Sequence, residues 1–353
     1  MTSLSDVADI VIGVDTHVDT HTAAIVDTAT GAVLDQMTIP TTPTGYEDLL
    51  AWAGEHSPAR AWAIEGTGGH GAGLTRVLAR GAEVVFELDR PQRIARRHGA
   101  KSDPLDAVRA AREAMSRPVR GTPRAGGQRQ GLSVLLAARR SAVEAATIAQ
   151  RQLFSLIVAA PETLRATLGQ ATGTERVQRA ATLRAHRSDD VETATTRHVL
   201  RTLARRVQAL TAEAADLEKQ ITVLVKAWHA DLLDLFGVGP IVAATVLCTW
   251  SHPGRIHSEA AFAMLAGIAP IPANSGRVTT RYRLNRYGDR QLNRAIHTIV
   301  LSRQRYDATT QAYTARRTSQ GKTPRESADA SSATSSETST ESSNQAHPRL
   351  DEP

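Results

Sequence analysis

The chain has 353 residues, of which 41% are hydrophobic, 4% are aromatic and one, Cys248, is a cysteine. This length allows two or three domains with their own cores, and a lone cysteine excludes a disulfide framework or a zinc knuckle. No signal peptide opens the sequence and no apolar run reaches the roughly 18 residues of a membrane span. We therefore expect a soluble, cytoplasmic protein with no membrane partner.

The charge is unevenly distributed. The formal net charge is +6, but the stretch 326–353 holds six acids against one Arg, so that residues 1–325 carry +11. This excess predicts an anionic partner, and first of all nucleic acid, because phosphate neutralisation by Lys and Arg supplies most non-specific affinity. A solvated basic surface without a ligand is the alternative.

The first 116 residues alternate between strand and helix patterns. We predict strands at 10–14, 22–26, 32–39, 61–64 and 83–88, and helices at 45–55, 74–79 and 103–115. Three consecutive strands followed by alternating strands and helices are the element order of the α/β ribonuclease-H-like fold. The segment 8–116 is therefore predicted to be a domain of that class.

The remainder of the chain is predicted to be mostly helical. From Thr196 onward, apolar residues recur at alternating spacings of three and four for more than four heptads, which is typical of a coiled coil. This helix could pair within the chain, with a helix near 131–160, or between subunits. We divide this part into a linker at 117–130, a helical coiled-coil region at 131–230, a mostly α C-terminal domain at 231–322 and a disordered acidic Ser-rich tail at 323–353.

Four carboxylates stand at informative positions in the first domain. Asp15 and Glu65 each follow a strand, and Asp103 and Asp106 share one face of a helix start. Carboxylates from several elements can hold two Mg²⁺ ions about 4 Å apart, as a phosphodiester-cutting site requires. Without cations such acids would repel one another. In the alternative interpretation, Asp103 is only an N-cap, with Pro104 at N1 and Asp106 at N3 of an ordinary helix.

A His-x-Asp-x-His pattern at His17, Asp19 and His21 resembles a transition-metal motif. Because it lies between two predicted strands, we interpret it as a polar turn and its flanks.

Two motifs in the C-terminal domain favour nucleic-acid binding. Gly237 and Gly239, in Leu235–Pro240, are typical of a helix-hairpin-helix, in which glycine allows amide groups to meet a phosphate. A plain helix–helix turn is the alternative. Further along, Ser275 is an ordinary loop hydroxyl or a nucleophile. It precedes an arginine strip with interleaved tyrosines that suits phosphates and bases, namely Arg277, Arg281, Arg283, Arg286 and Arg290.

Together these residues resemble a known family. The matching motifs are Gly13-Val14-Asp15, Ile64–Gly68, Lys101–Ala107, the Gly-Val-Gly turn at 237–239, and Ala266–Pro270 leading to Asn274-Ser275-Gly276. They resemble the transposases of the insertion-sequence 110 family, the DEDD transposases. The resemblance spans roughly residues 10–320 and leaves out the tail.

The resemblance implies a RuvC-like nuclease domain in which Asp15, Glu65, Asp103 and Asp106 hold Mg²⁺, and a Ser275 that becomes covalently joined to DNA. It also implies recombination between element ends and target DNA, a structured guide RNA from the element, a homo-oligomer, and a bacterial, nucleoid-associated location. Two other functions stay open on the residues alone. One is a metal-dependent, structure-selective DNA endonuclease that uses water, and the other is a non-catalytic nucleic-acid-binding scaffold.

Overall fold

A computed structural model describes residues 4–88, 102–117, 121–272, 282–285 and 287–321. The chain forms two compact units, Met1–Gly126 and Gly127–Pro353. The elements of the first unit are β1 (Ile10–Thr16), β2 (Thr20–Asp27), β3 (Val33–Pro40), α1 (Pro43–His56), β4 (Arg60–Glu65), α2 (Ala72–Arg80), β5 (Val84–Leu88) and α3 (Asp103–Ser116).

The five strands of the first unit form one mixed sheet in the order β3-β2-β1-β4-β5. The first three strands pair antiparallel, and β4 and β5 continue the sheet parallel to β1. The predicted α/β architecture is confirmed, and this mixed sheet with helices is consistent with the ribonuclease-H-like fold.

Both faces of the central strands are buried. On one face, Ile12 and Val14 pack with Leu49 of α1 and Leu74 of α2. Successive side chains of a strand point to opposite sides of the sheet. The residues that alternate with Ile12 and Val14 therefore pack against α3. That second core contains Val11 of β1, Ala63 of β4, and Ala107 and Ala111 of α3, among others. The small side chains of α3 let this helix lie close to the sheet.

Helix α3 approaches the sheet very closely at Gly13. A Cβ atom at this position would lie 2.0 Å from the carbonyl oxygen of Ala107 and 2.5 Å from the backbone nitrogen of Ala111. No real side chain tolerates such contacts, so only glycine permits this packing. The contact fixes the start of α3 near the carboxyl end of β1.

The second unit is predominantly helical, as predicted. Its elements are α4 (Gly127–Val158), α5 (Glu162–Leu168), α6 (Gly173–Ala181), α7 (Val191–His229), α8 (Pro240–Trp250), α9 (Glu259–Leu265), β6 (Pro270–Pro272), β7 (Tyr282–Leu284), α10 (Arg290–Tyr306) and α11 (Ala308–Ser319). The long helices α4 and α7 pack against each other. Two pairings are predicted for the apolar ladder of α7, and the one within the chain is therefore present. A coiled-coil supercoil stays a prediction.

The structure divides the chain differently from the predicted segments. Helix α4 begins at Gly127, so the last residues of the predicted linker are helical. There is also no separation at residue 230, because Leu132 and Ile221 share one core with Leu232 and Val242. The apolar ladder of α7 thus ends in the core that this helix shares with α8. The predicted tail at 323–353 lies outside the described residues.

Among the described residues, no helix combines the length and the apolar character needed to cross a membrane.

A candidate metal centre at the carboxyl end of the sheet

Asp15 and Glu65 lie at the same edge and on the same face of the sheet. In the parallel pair β1–β4, Val14 is opposite Ile64, and both side chains belong to the core formed with α1 and α2. The next residue of each strand therefore faces the α3 side. The pairing explains why two acids that are fifty residues apart in sequence both face the start of α3.

The start of α3 differs from the predicted capping arrangement. The N-cap is Ser102, in extended conformation, and its carbonyl oxygen accepts hydrogen bonds from the N–H groups of Leu105 at 3.1 Å and Asp106 at 3.2 Å. Asp103 is the first helical residue, and no side chain caps this helix. The prediction of Asp103 as the N-cap is therefore wrong by one residue, because Ser102 is the residue that leaves the helical conformation. The carboxylate of Asp103 is not needed to begin the helix.

Three side chains converge at this edge of the sheet. Potential ligand atoms of Asp15, His17 and Asp103 all lie within 4.8 Å of one another. Nε2 of His17 is 3.3 Å from Oδ2 of Asp15 and 3.5 Å from Oδ1 of Asp103. Oxygen and imidazole ligands from a strand, the turn after it and a helix start form a donor set that divalent cations accept.

The hydrogen bonding of this group also fits a cation. Oδ2 of Asp15 and Nε2 of His17 are buried from solvent, and in the described part of the chain neither has a hydrogen-bond partner outside the group of Asp15, His17 and Asp103. Buried polar atoms without partners are rare in folded proteins and costly. A metal ion held by this group would give both atoms a further polar partner.

The electrostatics of Asp15 point in the same direction. Burial raises the pKa of this carboxyl above its ordinary value, His17 opposes that change, and the neighbouring carboxylates of Asp103 and Asp106 raise the pKa further. A carboxyl whose ionisation is disfavoured in this way gains from a positive ion beside it.

Glu65 and Asp106 lie at the margin of this group rather than within the set of mutually close atoms. Glu65 ends β4, and its carbonyl oxygen accepts a hydrogen bond from Oγ1 of Thr16 at 3.0 Å. Asp106 is close enough to affect Asp15 electrostatically, while its Oδ1 accepts a hydrogen bond from Nη1 of Arg109 at 2.8 Å. The four predicted acids therefore share one edge of the sheet, but only Asp15 and Asp103 belong to the closest group.

Sequence reasoning missed His17 as a member of this group. The turn interpretation is correct for its backbone, yet His17 follows Asp15 by two residues, and that spacing puts both side chains on one side of an extended chain. His21 is different, because it is buried in β2 with its ring stacked on Tyr46 at 5.9 Å. Burial lowers the pKa of His21.

In the second unit, the predicted Gly-Val-Gly turn is present. Gly237 has φ +85°, and a Cβ atom there would lie 3.1 Å from the carbonyl oxygen of Ile299 in α10. Gly239 is the N-cap of α8, with open space around its Cα. Gly237 thus serves the turn and its packing, while a helix-hairpin-helix that binds phosphate stays a prediction.

The arginine strip is only partly described. Arg290 is the first residue of α10 and is exposed, and Arg283 belongs to β7. The remaining predicted residues lie outside the described part of the chain, namely Ser275, Arg277, Arg281 and Arg286.

Comparison with known proteins identifies the family. A family model described as Transposase IS116/IS110/IS902 family matches residues 229–315, and a DEDD transposase model of the IS110 type matches residues 12–160. The chain belongs to the IS110 family of transposases. It is also 32% identical over 127 residues to the insertion element IS900 uncharacterized 42 kDa protein of Mycobacterium paratuberculosis. That alignment covers 35% of this chain and 32% of the relative, about a third of the relative's length.

Proposed function

We propose that this protein is the transposase of an insertion sequence and that it cleaves and rejoins DNA strands in a reaction that depends on divalent metal. The observation that carries the proposal is the group of Asp15, His17 and Asp103, in which two buried ligand atoms have no hydrogen-bond partner outside the group. Family membership supports DNA as the substrate.

The proposed ligands are the four acids of the predicted tetrad, with His17 added. Asp15 and Asp103 would bind directly, and Glu65 and Asp106 would complete the coordination of a pair of Mg²⁺ ions. When bound, the ions would neutralise charge on the reacting phosphate and lower the pKa of the attacking hydroxyl. The role of the protein is to hold these ligands rigidly, through the contact between Gly13 and α3.

The proposed nucleophile is Ser275, an assignment that rests on the family resemblance. Its hydroxyl would lose a proton, its oxygen would bond to phosphorus, and the bond from phosphorus to one deoxyribose oxygen would break. The departing deoxyribose oxygen takes up a proton. The resulting phosphoserine ester conserves the phosphodiester energy, so that another DNA end can attack it and restore serine.

The exposed side of α10 supports DNA binding in the second unit. Arg290, Arg294 and His297 are exposed at helical spacing, and this helix contains no acidic residue. Beside its start, the Tyr287 side chain is 96% exposed. Guanidinium groups bind phosphates, and an exposed tyrosine ring can stack on a base.

The proposed partners are the element ends, target DNA, a structured guide RNA from the element and further copies of this chain. They rest on the resemblance, as does the nucleoid-associated location. Sequencing of RNA that co-purifies with the protein from its host tests the guide RNA. One abundant species encoded beside the gene is expected, and a random sample of cellular RNA would contradict this part of the proposal.

The test of the function uses DNA that carries the element ends, labelled and incubated with the full chain and Mg²⁺. A covalent protein–DNA adduct that withstands denaturation is expected for the wild type and not for Ser275→Ala. Adducts formed by Ser275→Ala would contradict the assignment of the nucleophile. Cleavage without adducts would indicate the endonuclease that uses water, and the absence of cleavage in all conditions would leave a binding scaffold.

A further inference from the structure

A small helical lobe stands at the end of the α4–α7 pair. It consists of α5, α6 and the beginning of α7, which pack around a core shared with the end of α4 that includes Leu153, Leu164, Leu168, Val177 and Leu200. The segment 161–228, which contains the lobe, falls between the two ranges that the family models match. Those models therefore assign it no role.

The lobe is rich in arginine. Residues 162–206 contain nine Arg, no Lys and five acids. Three arginines form ion pairs within the lobe, namely Arg165 with Glu162, Arg179 with Glu175, and Arg197 with Asp189.

Three further arginines bind backbone carbonyl groups instead of carboxylates. Arg176 donates to the carbonyl oxygens of 168, 169 and 171, Arg201 to that of Leu183, and Arg205 to that of Ala181. A carbonyl group carries no net charge, so these guanidinium groups fix the ends of α5 and α6 and leave the lobe positively charged. Such a fixed positive field attracts polyanions.

An open cleft of about 510 Å³ lies on this positively charged lobe. Its lining includes the side chains of Arg179, Arg184, His186 and Arg197, and it contains no acidic residue. Arg184 follows α6 and is exposed, and it makes no ion pair in the described part of the chain. Arginine is the side chain best suited to phosphate oxygens, because its planar fork can donate two parallel hydrogen bonds.

We infer that this lobe is a second nucleic-acid-binding surface, which holds the phosphodiester backbone in the Arg184 cleft. The choice of nucleic acid as the polyanion rests on the proposed function. An open cleft flanked by further arginines suits a polymer that passes through it better than a small enclosed anion. The lobe contacts no bases by this account, so its contribution to affinity is independent of sequence and sensitive to salt.

The test is the affinity of the full chain for three labelled probes, single-stranded RNA, single-stranded DNA and duplex DNA, measured by fluorescence anisotropy over a salt series. The variant is Arg184→Ala, and the matched control is Arg140→Ala, an exposed arginine of α4 outside the lobe. Loss of one phosphate contact reduces the slope of log affinity against log salt by about 0.9 for duplex DNA or about 0.7 for a single strand.

The inference predicts that Arg184→Ala loses this part of the slope and binds about five- to tenfold more weakly at 0.1 M salt. Arg184→Lys retains most of the slope, and Arg140→Ala binds like the wild type. The probe with the largest change identifies the nucleic acid that uses the lobe. Unchanged melting temperatures verify that all variants are folded.

Equal slopes for Arg184→Ala and the wild type on every probe would overturn the inference. If metal-dependent cleavage of DNA persists in that case, the proposed function stands without the lobe. If the wild type binds none of the probes, both the inference and the proposed function fail.

Discussion

Gly13 and Ala107 approach each other so closely that a methyl group on Gly13 would lie 2.0 Å from the Ala107 carbonyl oxygen. The contact lies one turn from Asp103 along α3 and two residues from Asp15 along β1. It therefore sets the distance between two carboxylates that come from distant parts of the sequence.

Gly13→Ala is expected to push α3 away from the sheet, because the clash is with backbone atoms that cannot rotate aside. Overpacking of this kind costs about 1–3 kcal/mol of unfolding free energy. Denaturant unfolding measures the loss, and divalent-metal binding should weaken with it. The matched control is Gly68→Ala in the loop after β4, where a Cβ atom meets nothing within 4 Å. Equal stability of the two variants would mean that α3 is not held at this contact.

Asp106→Asn tests whether the acids serve the helix or a metal. No side chain caps α3, so a structural role of Asp106 would be limited to the helix-dipole contribution of roughly 0.3–1 kcal/mol and the largely exposed ion pair with Arg109, worth at most about 1 kcal/mol. In metal-free protein this loss should be offset by reduced repulsion with Asp15, whose pKa Asp106 raises. We expect metal-free unfolding free energy close to the wild-type value together with loss of DNA cleavage. Full activity would leave Asp106 with a structural role alone.

His17→Ala tests the ligand that the sequence did not reveal. Because His17 Nε2 lies between Asp15 and Asp103, its removal should weaken Mn²⁺ binding by at least about tenfold, with a smaller effect on Mg²⁺, which prefers oxygen. Mn²⁺ titration followed by electron paramagnetic resonance measures the affinity for Mn²⁺, and competition with Mg²⁺ in the same experiment measures the affinity for Mg²⁺. His56→Ala is the control, since its Nε2 is 3.4 Å from Asp35 of β3 in the same unit. Unchanged Mn²⁺ affinity in His17→Ala would exclude His17 from the coordination sphere.

Gly237→Ala and Gly239→Ala separate packing from phosphate binding in the second unit. At Gly237 a side chain meets α10 and a left-handed backbone, so we expect a loss of about 1–3 kcal/mol of stability. At Gly239 there is open space, and alanine is only a poorer N-cap, so the loss should be smaller. Thermal unfolding of the two variants shows which of them loses more stability. Similar destabilisation would contradict the packing role of Gly237.

Much of the first unit could be predicted from the sequence because its signals are local. Buried strands such as Ile10–Val14 end at polar residues, and Pro104 and the acids of the first turn indicate a helix start. The shared edge of Asp15 and Glu65 also follows from sequence, since parallel strands bring their carboxyl ends together.

The remaining features depend on tertiary contacts that a single sequence does not display. The sequence does not indicate that Gly13 lies under Ala107, nor that Ser102 rather than Asp103 leaves the helical conformation. His17 was missed because a histidine in a turn is common, and only the approach of Asp103 brings it into a cation-binding position. In the second unit, the apolar ladder of α7 predicts a partner helix. The sequence does not show whether that partner is α4 or a helix of another subunit.

The most direct test of the metal centre is strand cleavage by wild type and Asp103→Asn, each with Mg²⁺ and with a chelator, on DNA that carries the element ends. We expect cleavage by the wild type only when Mg²⁺ is present, and none by Asp103→Asn, although that variant unfolds at the wild-type temperature without metal. Cleavage by Asp103→Asn at the wild-type rate, or by the wild type in chelator, would contradict a catalytic metal centre at Asp15 and Asp103.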